Sequence, residues 1–140
     1  MANIVPDSFK KELFEAIHDF TASTGDTFKL ALYTTVSGFS TGTTNYIVTN
    51  ETSGTGYTAS GTTLTNISPT VAQNIAFVDF ADATFSTATI SASAALIYNT
   101  SNSSKAVVVL DFGGTKTSTN GDFTIQFPAA NSTSAILRIS

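Results

Sequence analysis

The 140-residue chain contains no cysteine and no tryptophan, one histidine, one methionine and three prolines. Without thiols it can form no disulfide, no thiolate metal site and no cysteine nucleophile. Charge is also scarce. Asp, Glu, Lys and Arg make up 11% of the residues, about half the share of roughly 25% usual in globular domains. The net charge is −4 and no basic run occurs, which argues against a nucleic-acid groove, since such grooves cluster Lys and Arg against phosphates. The longest apolar runs, residues 94–98 and 106–110, are strand length, far below the roughly 20 residues that cross a bilayer. The start, Met1-Ala2-Asn3-Ile4-Val5-Pro6, shows no basic stretch followed by an apolar core, so no signal peptide and no membrane partner are expected.

What is present is apolar and hydroxylic. Hydrophobic residues reach 41%, too many for a disordered chain, and the length suits one domain. Threonine (25) and serine (17) supply most of the polarity. Threonine is β-branched and fits a pleated strand. A surface of hydroxyls and small apolar groups is cheaper to strip of water than one of Lys and Glu, and protein interfaces are depleted of charge at their centres. The composition therefore favours a surface made for contact with other proteins over an ordinary threonine-rich exterior.

The first twenty residues stand apart. They hold six of the sixteen charged side chains, and Phe9, Leu13, Ala16, Ile17 and Phe20 recur at the spacing of one helical face. Asp7 or Ser8 is expected to cap an amphipathic helix of about 12 residues, marginal alone in water, whose stripe packs on its own sheet or on a neighbouring subunit. After residue 25 the period changes to two. Phe28, Leu30 and Leu32 alternate with Lys29, Ala31 and Tyr33. Strands are predicted over residues 27–35, 45–49, 62–67, 74–80, 88–98, 105–112, 122–127 and 134–139, with 105–112 as a central strand and 99–104 as a hairpin tip. Gly113-Gly114 and Asn120-Gly121 read as turns, and residues 36–44 and 50–61 as mobile surface loops. The expected architecture is all-β: an antiparallel sandwich of jelly-roll or immunoglobulin-like type over residues 25–140, preceded by the helix and turn of residues 1–24, in one domain.

Catalytic constellations are thin. A serine triad would need His18, which the helical spacing places facing solvent, and no G-x-S-x-G elbow exists. Gly54-Thr55-Gly56 lacks the third glycine and the helix of a phosphate cradle. Asp79 and Asp82 fall on opposite faces of an extended chain, with Asp82 in a turn, and Asp111 and Asp122 also read as strand ends. No acid–base pair, metal site or cofactor site is assigned. Tyr46 and Tyr57 are the aromatic candidates for a sugar platform, set against ordinary loop anchoring.

Five segments in order, Leu30-Ala31-Leu32-Tyr33-Thr34, then residues 50–61 (ETSGTGYTASG after Asn50), then Val78-Asp79-Phe80-Ala81-Asp82-Ala83-Thr84-Phe85, Ala95-Leu96-Ile97-Tyr98 and Val109-Leu110-Asp111-Phe112-Gly113, resemble a family of small virion proteins of tailed bacteriophages. The resemblance covers roughly residues 1–127. It implies a β-sandwich on the outside of a phage particle, made in the host cytoplasm, and brings no catalytic residues. The function it suggests is an outer capsid decoration or cement protein. The alternatives are a tail, neck or fibre component and, below these, a glycan-binding or glycan-cleaving module. Partners are then the major capsid protein or tail proteins and further copies of the chain, for example in a trimer. Phe9, Leu13, Ile17, Phe20, Phe39, Tyr46 and Tyr57 are the expected interface residues.

Overall fold

A computed structural model describes residues 3–140. One helix, α1 (Asp7–Phe14), precedes seven strands: β1 (Phe28–Tyr33), β2 (Thr62–Thr63), β3 (Asn66–Ala72), β4 (Ile75–Phe80), β5 (Ala83–Asn99), β6 (Lys105–Ile125) and β7 (Leu137–Ile139). All pairings are antiparallel and form two sheets, one ordered β2-β1-β5-β6 and the other β3-β4-β7. The fold is all-β and sandwich-like with a short N-terminal helix.

The period-two pattern sorts the larger sheet into two apolar faces. Phe28, Leu30 and Leu32 of β1 join Ile97, Val108, Phe80 and Phe127 in the main core, between the two sheets. Ala31 and Tyr33 join Leu96, Tyr98 and Val109 on the other face, covered by Ile4, Val36, Phe39, Tyr46 and Ile47. Double coverage explains the continuous Ala106–Leu110 run. Its strand is not central, however, because β6 lies at the sheet edge. Ile4 seals that edge through paired bonds with Val109 (2.9 and 2.8 Å), and the segment at Asn45 does so beside Lys105.

Several expected boundaries move. Residues 105–112 and 122–125 belong to one long strand, β6, because Gly113-Gly114 forms a bulge rather than a turn, and the expected 122–127 strand ends at Ile125. Ala92 pairs with Lys116 and Ala94 with Asp111, so residues 112–115 loop out opposite a single β5 residue. Gly113 takes φ 73° there, a conformation that costs glycine little. Residues 45–49 form no strand, only the bridge at Asn45. The predicted 62–67 strand divides into β2 and the start of β3. Pro69 offers no N–H, and the β3–β4 ladder shifts register between Ile67 and Thr70 around it. Gln73 and Asn74, both at positive φ, close that hairpin.

The helix is shorter than its stripe. It stops at Phe14 because Ala16 adopts φ 56°, and the N–H groups of Glu15, Ala16 and Ile17 fold back onto the carbonyls of Glu12 and Leu13. Ile17, His18 and Phe20 therefore lie beyond it in irregular chain. No side chain caps its start; Pro6 holds the cap position, and Ser8 Oγ donates instead to the Thr43 carbonyl (3.2 Å).

Candidate functional site

Three constellations gather the chemically distinctive side chains. The first clasps the N-terminal segment to the β5–β6 hairpin. His18, expected at the surface, has a fully buried imidazole. It leaves the helix axis at the Ala16 kink and packs on Phe9, Phe20 and Phe28, with ring centroids 5.0, 6.3 and 6.4 Å away. Asn99 Oδ1 accepts from the Ser101 N–H, so its Nδ2 hydrogens point to Asp26 Oδ2 (2.7 Å) and His18 Nδ1 (3.0 Å). With Nδ1 accepting, Nε2–H donates to Glu12 Oε2 at 2.7 Å. Lys105 Nζ reaches the other Glu12 oxygen at 3.3 Å, and Asn102 Nδ2 binds Asp26 and the Ile17 carbonyl. Both imidazole nitrogens are engaged within the protein, and neither faces a hydroxyl nucleophile. The arrangement is a buried polar clasp.

The second constellation joins all four tyrosines around residues 47–60. Tyr46 and Tyr57 each donate to Glu51, both at 2.6 Å, and the Ser60 N–H adds a third bond to it at 2.7 Å. Tyr33 donates to the Ile47 carbonyl and Tyr98 to the Ser60 carbonyl. Tyr46 stacks on Tyr98 at 4.8 Å, Phe39 meets Tyr33 edge-on at 4.8 Å, and Tyr57 leans on Phe85 at 5.4 Å. Burial, reinforced by the Glu51 charge, pushes all four phenols above their ordinary range, Tyr33, Tyr46 and Tyr57 the furthest. The hydroxyls and ring faces of Tyr46 and Tyr57 are thus spent on holding residues 50–61 against β1. Thr52 is buried in that segment, with Oγ1 on the Ser91 carbonyl. Residues 50–61 lie largely at the surface, as their composition predicts, and these bonds strap them to β1.

Asp79 and Asp82 do not form a working pair. Asp79 is sealed in the core with Oδ1 on the Phe80 N–H and Oδ2 without a partner. Burial, with Asp82 as a nearby like charge, raises its carboxyl above the usual range. Asp82 is exposed and accepts the Phe127 N–H at 2.8 Å. Among the described residues no group of three or more His, Asp and Glu is placed to hold a metal ion.

The third constellation is an apolar groove of about 440 Å³ between α1 and the smaller sheet. Phe9, Leu13 and Phe20 line it from the N-terminal side, and Pro69, Ala76, Val78, Leu137 and Ile139 from the strands. Lys10 and Arg138 stand at it as the charged residues. Cross-strand register explains why it is open. Val71, Ala76 and Ile139 form one row on one sheet face, next to the Val78–Leu137 row that enters the core. Phe80 at the covered end is 2% exposed, whereas Val71 and Ile139 at the open end are 70% and 62% exposed. Phe14, at 96%, juts from the neighbouring helix. A second hollow, about 480 Å³ along β6 by Phe112, Lys116, Asp122 and Phe123, is more polar.

Of the expected interface residues, Phe9, Leu13 and Phe20 meet at this groove, with Phe9 and Phe20 mostly inside the chain's own core. Ile17 is half-buried beside the clasp. Phe39, Tyr46 and Tyr57 belong to the tyrosine constellation and are not brought to the groove. Sequence reasoning missed Phe14, Val71 and Ile139; alternation along residues 67–71 gives no signal for the row, because the register shift sets Ile67 opposite Asp79 and Val71 opposite Ala76, on different faces of β3. Comparison with protein-family models, curated proteins and solved structures finds no match for this chain.

Proposed function

We propose that this protein is a non-enzymatic packing module whose groove beside α1 is buried against other proteins of an assembly. The observation that carries this is the apolar row Val71–Ala76–Ile139, continuous with the core yet left open, on a chain poor in surface charge. Contiguous exposed apolar surface of this kind marks interaction sites on soluble proteins. The engaged nitrogens of His18 and the satisfied tyrosines are what a structural role asks of them. Combined with the resemblance to tailed-phage virion proteins, the assembly is a phage particle, and the favoured place is the outer capsid, as a decoration or cement protein. Each copy adds buried apolar area, at roughly 25 cal/mol per Å² before association costs, repeated over many sites of the shell.

The test is to add the purified protein to shells that lack it. Binding is expected to saturate at a stoichiometry set by capsomer symmetry and to raise the temperature at which shells open. Recovery of the chain solely in the tail fraction of disrupted particles replaces the capsid placement with a tail or fibre role. Failure to bind any part of the particle removes the virion reading.

A further inference from the structure

We propose, independently of the packing-module reading, that Asp79 is a proton-operated latch: when its carboxyl is deprotonated, residues 128–140 detach from the back of the smaller sheet.

Strand alternation sets the geometry. Val78 and Phe80 of β4 pack into the main core, so Phe77 and Asp79 point to the other side of the smaller sheet. Both are buried there, Asp79 to 1% exposure. The chain after Phe127 supplies the cover. Ser132 Oγ donates to Gln73 Oε1 at the β3–β4 turn (2.8 Å). Arg138, opposite Phe77 in β7, donates to the Ser132 and Thr133 carbonyls (3.5 and 2.8 Å). Leu137 pairs with Val78, which brings the N–H of the preceding Ile136 to the Asp79 carboxyl. Asp82 fixes the entry of the same segment by accepting the Phe127 N–H.

The buried carboxyl is poorly prepared for charge. Oδ1 accepts the Phe80 N–H at 2.9 Å, and Oδ2 has no partner. β3 and residues 128–136 carry no titratable side chain. Two charged groups stand on the elements around it. Asp82 disfavours a second negative charge. Arg138 is engaged with its two carbonyls, beyond ion-pair distance of any carboxylate among the described residues. A carboxylate stripped of water and left half-bonded is far costlier than the neutral acid, which is why burial raises this group. Relief is local. β7 pairs through only three residues, so lifting it wets the carboxylate without opening the larger sheet. Leu137 and Ile139 leave with it, and the groove beside α1 loses that wall.

Amide hydrogen exchange of the full chain, read by mass spectrometry from about pH 4 to about pH 8 and corrected for the intrinsic pH dependence of exchange, tests this. Protection over residues 128–140 should fall by about tenfold per pH unit above the ordinary carboxyl value near 3.8, the slope of one proton released on opening. The fall should level off once Asp79 is ionised in the closed form as well. β1 and β5 should keep their protection throughout. In Asp79→Asn, whose amide has the same shape and no charge, protection over residues 128–140 should stay flat with pH. The wild-type series needs no variant, so it decides the matter even where Asp79→Asn folds poorly. Flat protection of residues 128–140 in the wild type, a fall shared equally by β1 and β5, or an undiminished fall in folded Asp79→Asn overturns the proposal.

Discussion

Glu12 Oε2 lies 2.7 Å from His18 Nε2, and both side chains are buried where the segment after α1 meets the β5–β6 hairpin. Replacing His18 by Ala removes its contacts with three aromatic rings and leaves the Glu12 carboxylate, 8% exposed, with Lys105 as its remaining side-chain partner. A loss of about 3 kcal/mol in chemical denaturation is expected, the cost of stranding a buried charge. A loss under roughly 0.5 kcal/mol, usual for a surface substitution, contradicts the clasp.

The tyrosines set an alkaline limit. Each phenol is raised above its ordinary value near 10. A raised pKa adds stability that is complete below the unfolded value and is lost as pH rises through the folded value. Native protein should therefore show little tyrosinate absorbance near pH 10, and ionisation should arrive together with loss of the far-UV signal at higher pH. Glu51→Gln should bring that transition to lower pH and cost about 1–3 kcal/mol at pH 7. Four independent titrations near pH 10 in folded protein are the contrary result.

Asp79 works the other way from an ordinary paired carboxylate. Its folded pKa is raised by burial, so its contribution is present at acidic pH and is lost as pH rises through the folded value. Stability of the wild type minus that of Asp79→Asn should fall as pH rises above the ordinary carboxyl value near 3.8, and the Asn variant should gain relative to wild type on the alkaline side of that fall. A difference that grows with pH contradicts the assignment of Oδ2 as unpartnered.

Gly61 holds the strap against β1. A Cβ there would stand 1.8 Å from the Leu30 carbonyl oxygen, and φ is +80°. Gly61→Ala should cost about 3 kcal/mol or more, since backbone must move and the Glu51 and Tyr98 bonds go with it. Gly113→Ala, where the Cβ meets open space at φ +73°, should cost about 1 kcal/mol.

Much of the architecture could be read from residue pattern. Alternation at Phe28–Tyr33 assigned the two faces of β1 correctly, and the polar Asn99–Ser104 stretch marked the hairpin tip. Helical spacing found Phe9, Leu13 and Phe20, yet carried His18 to the wrong environment. A one-residue kink at Ala16 ends the helix without glycine or proline to announce it. Gly-Gly in β6 looked like a turn because a long bulge and a turn use the same conformations. The tyrosine cluster was hidden since its members lie 65 positions apart at the extremes, Tyr33 to Tyr98, and converge only through β1–β5 pairing. The groove depends on which end of a sheet face remains uncovered, and no local pattern encodes that.

Binding of the Val71→Asp/Ile139→Asp double variant to particles lacking the chain tests the central claim most directly, beside Thr117→Asp on the distant ribbon as the control. Both groove positions are exposed, so the variant should melt like the wild type, while two charges planted on the apolar row should abolish its binding and the control should bind normally. Undiminished binding of the folded groove variant would contradict the account.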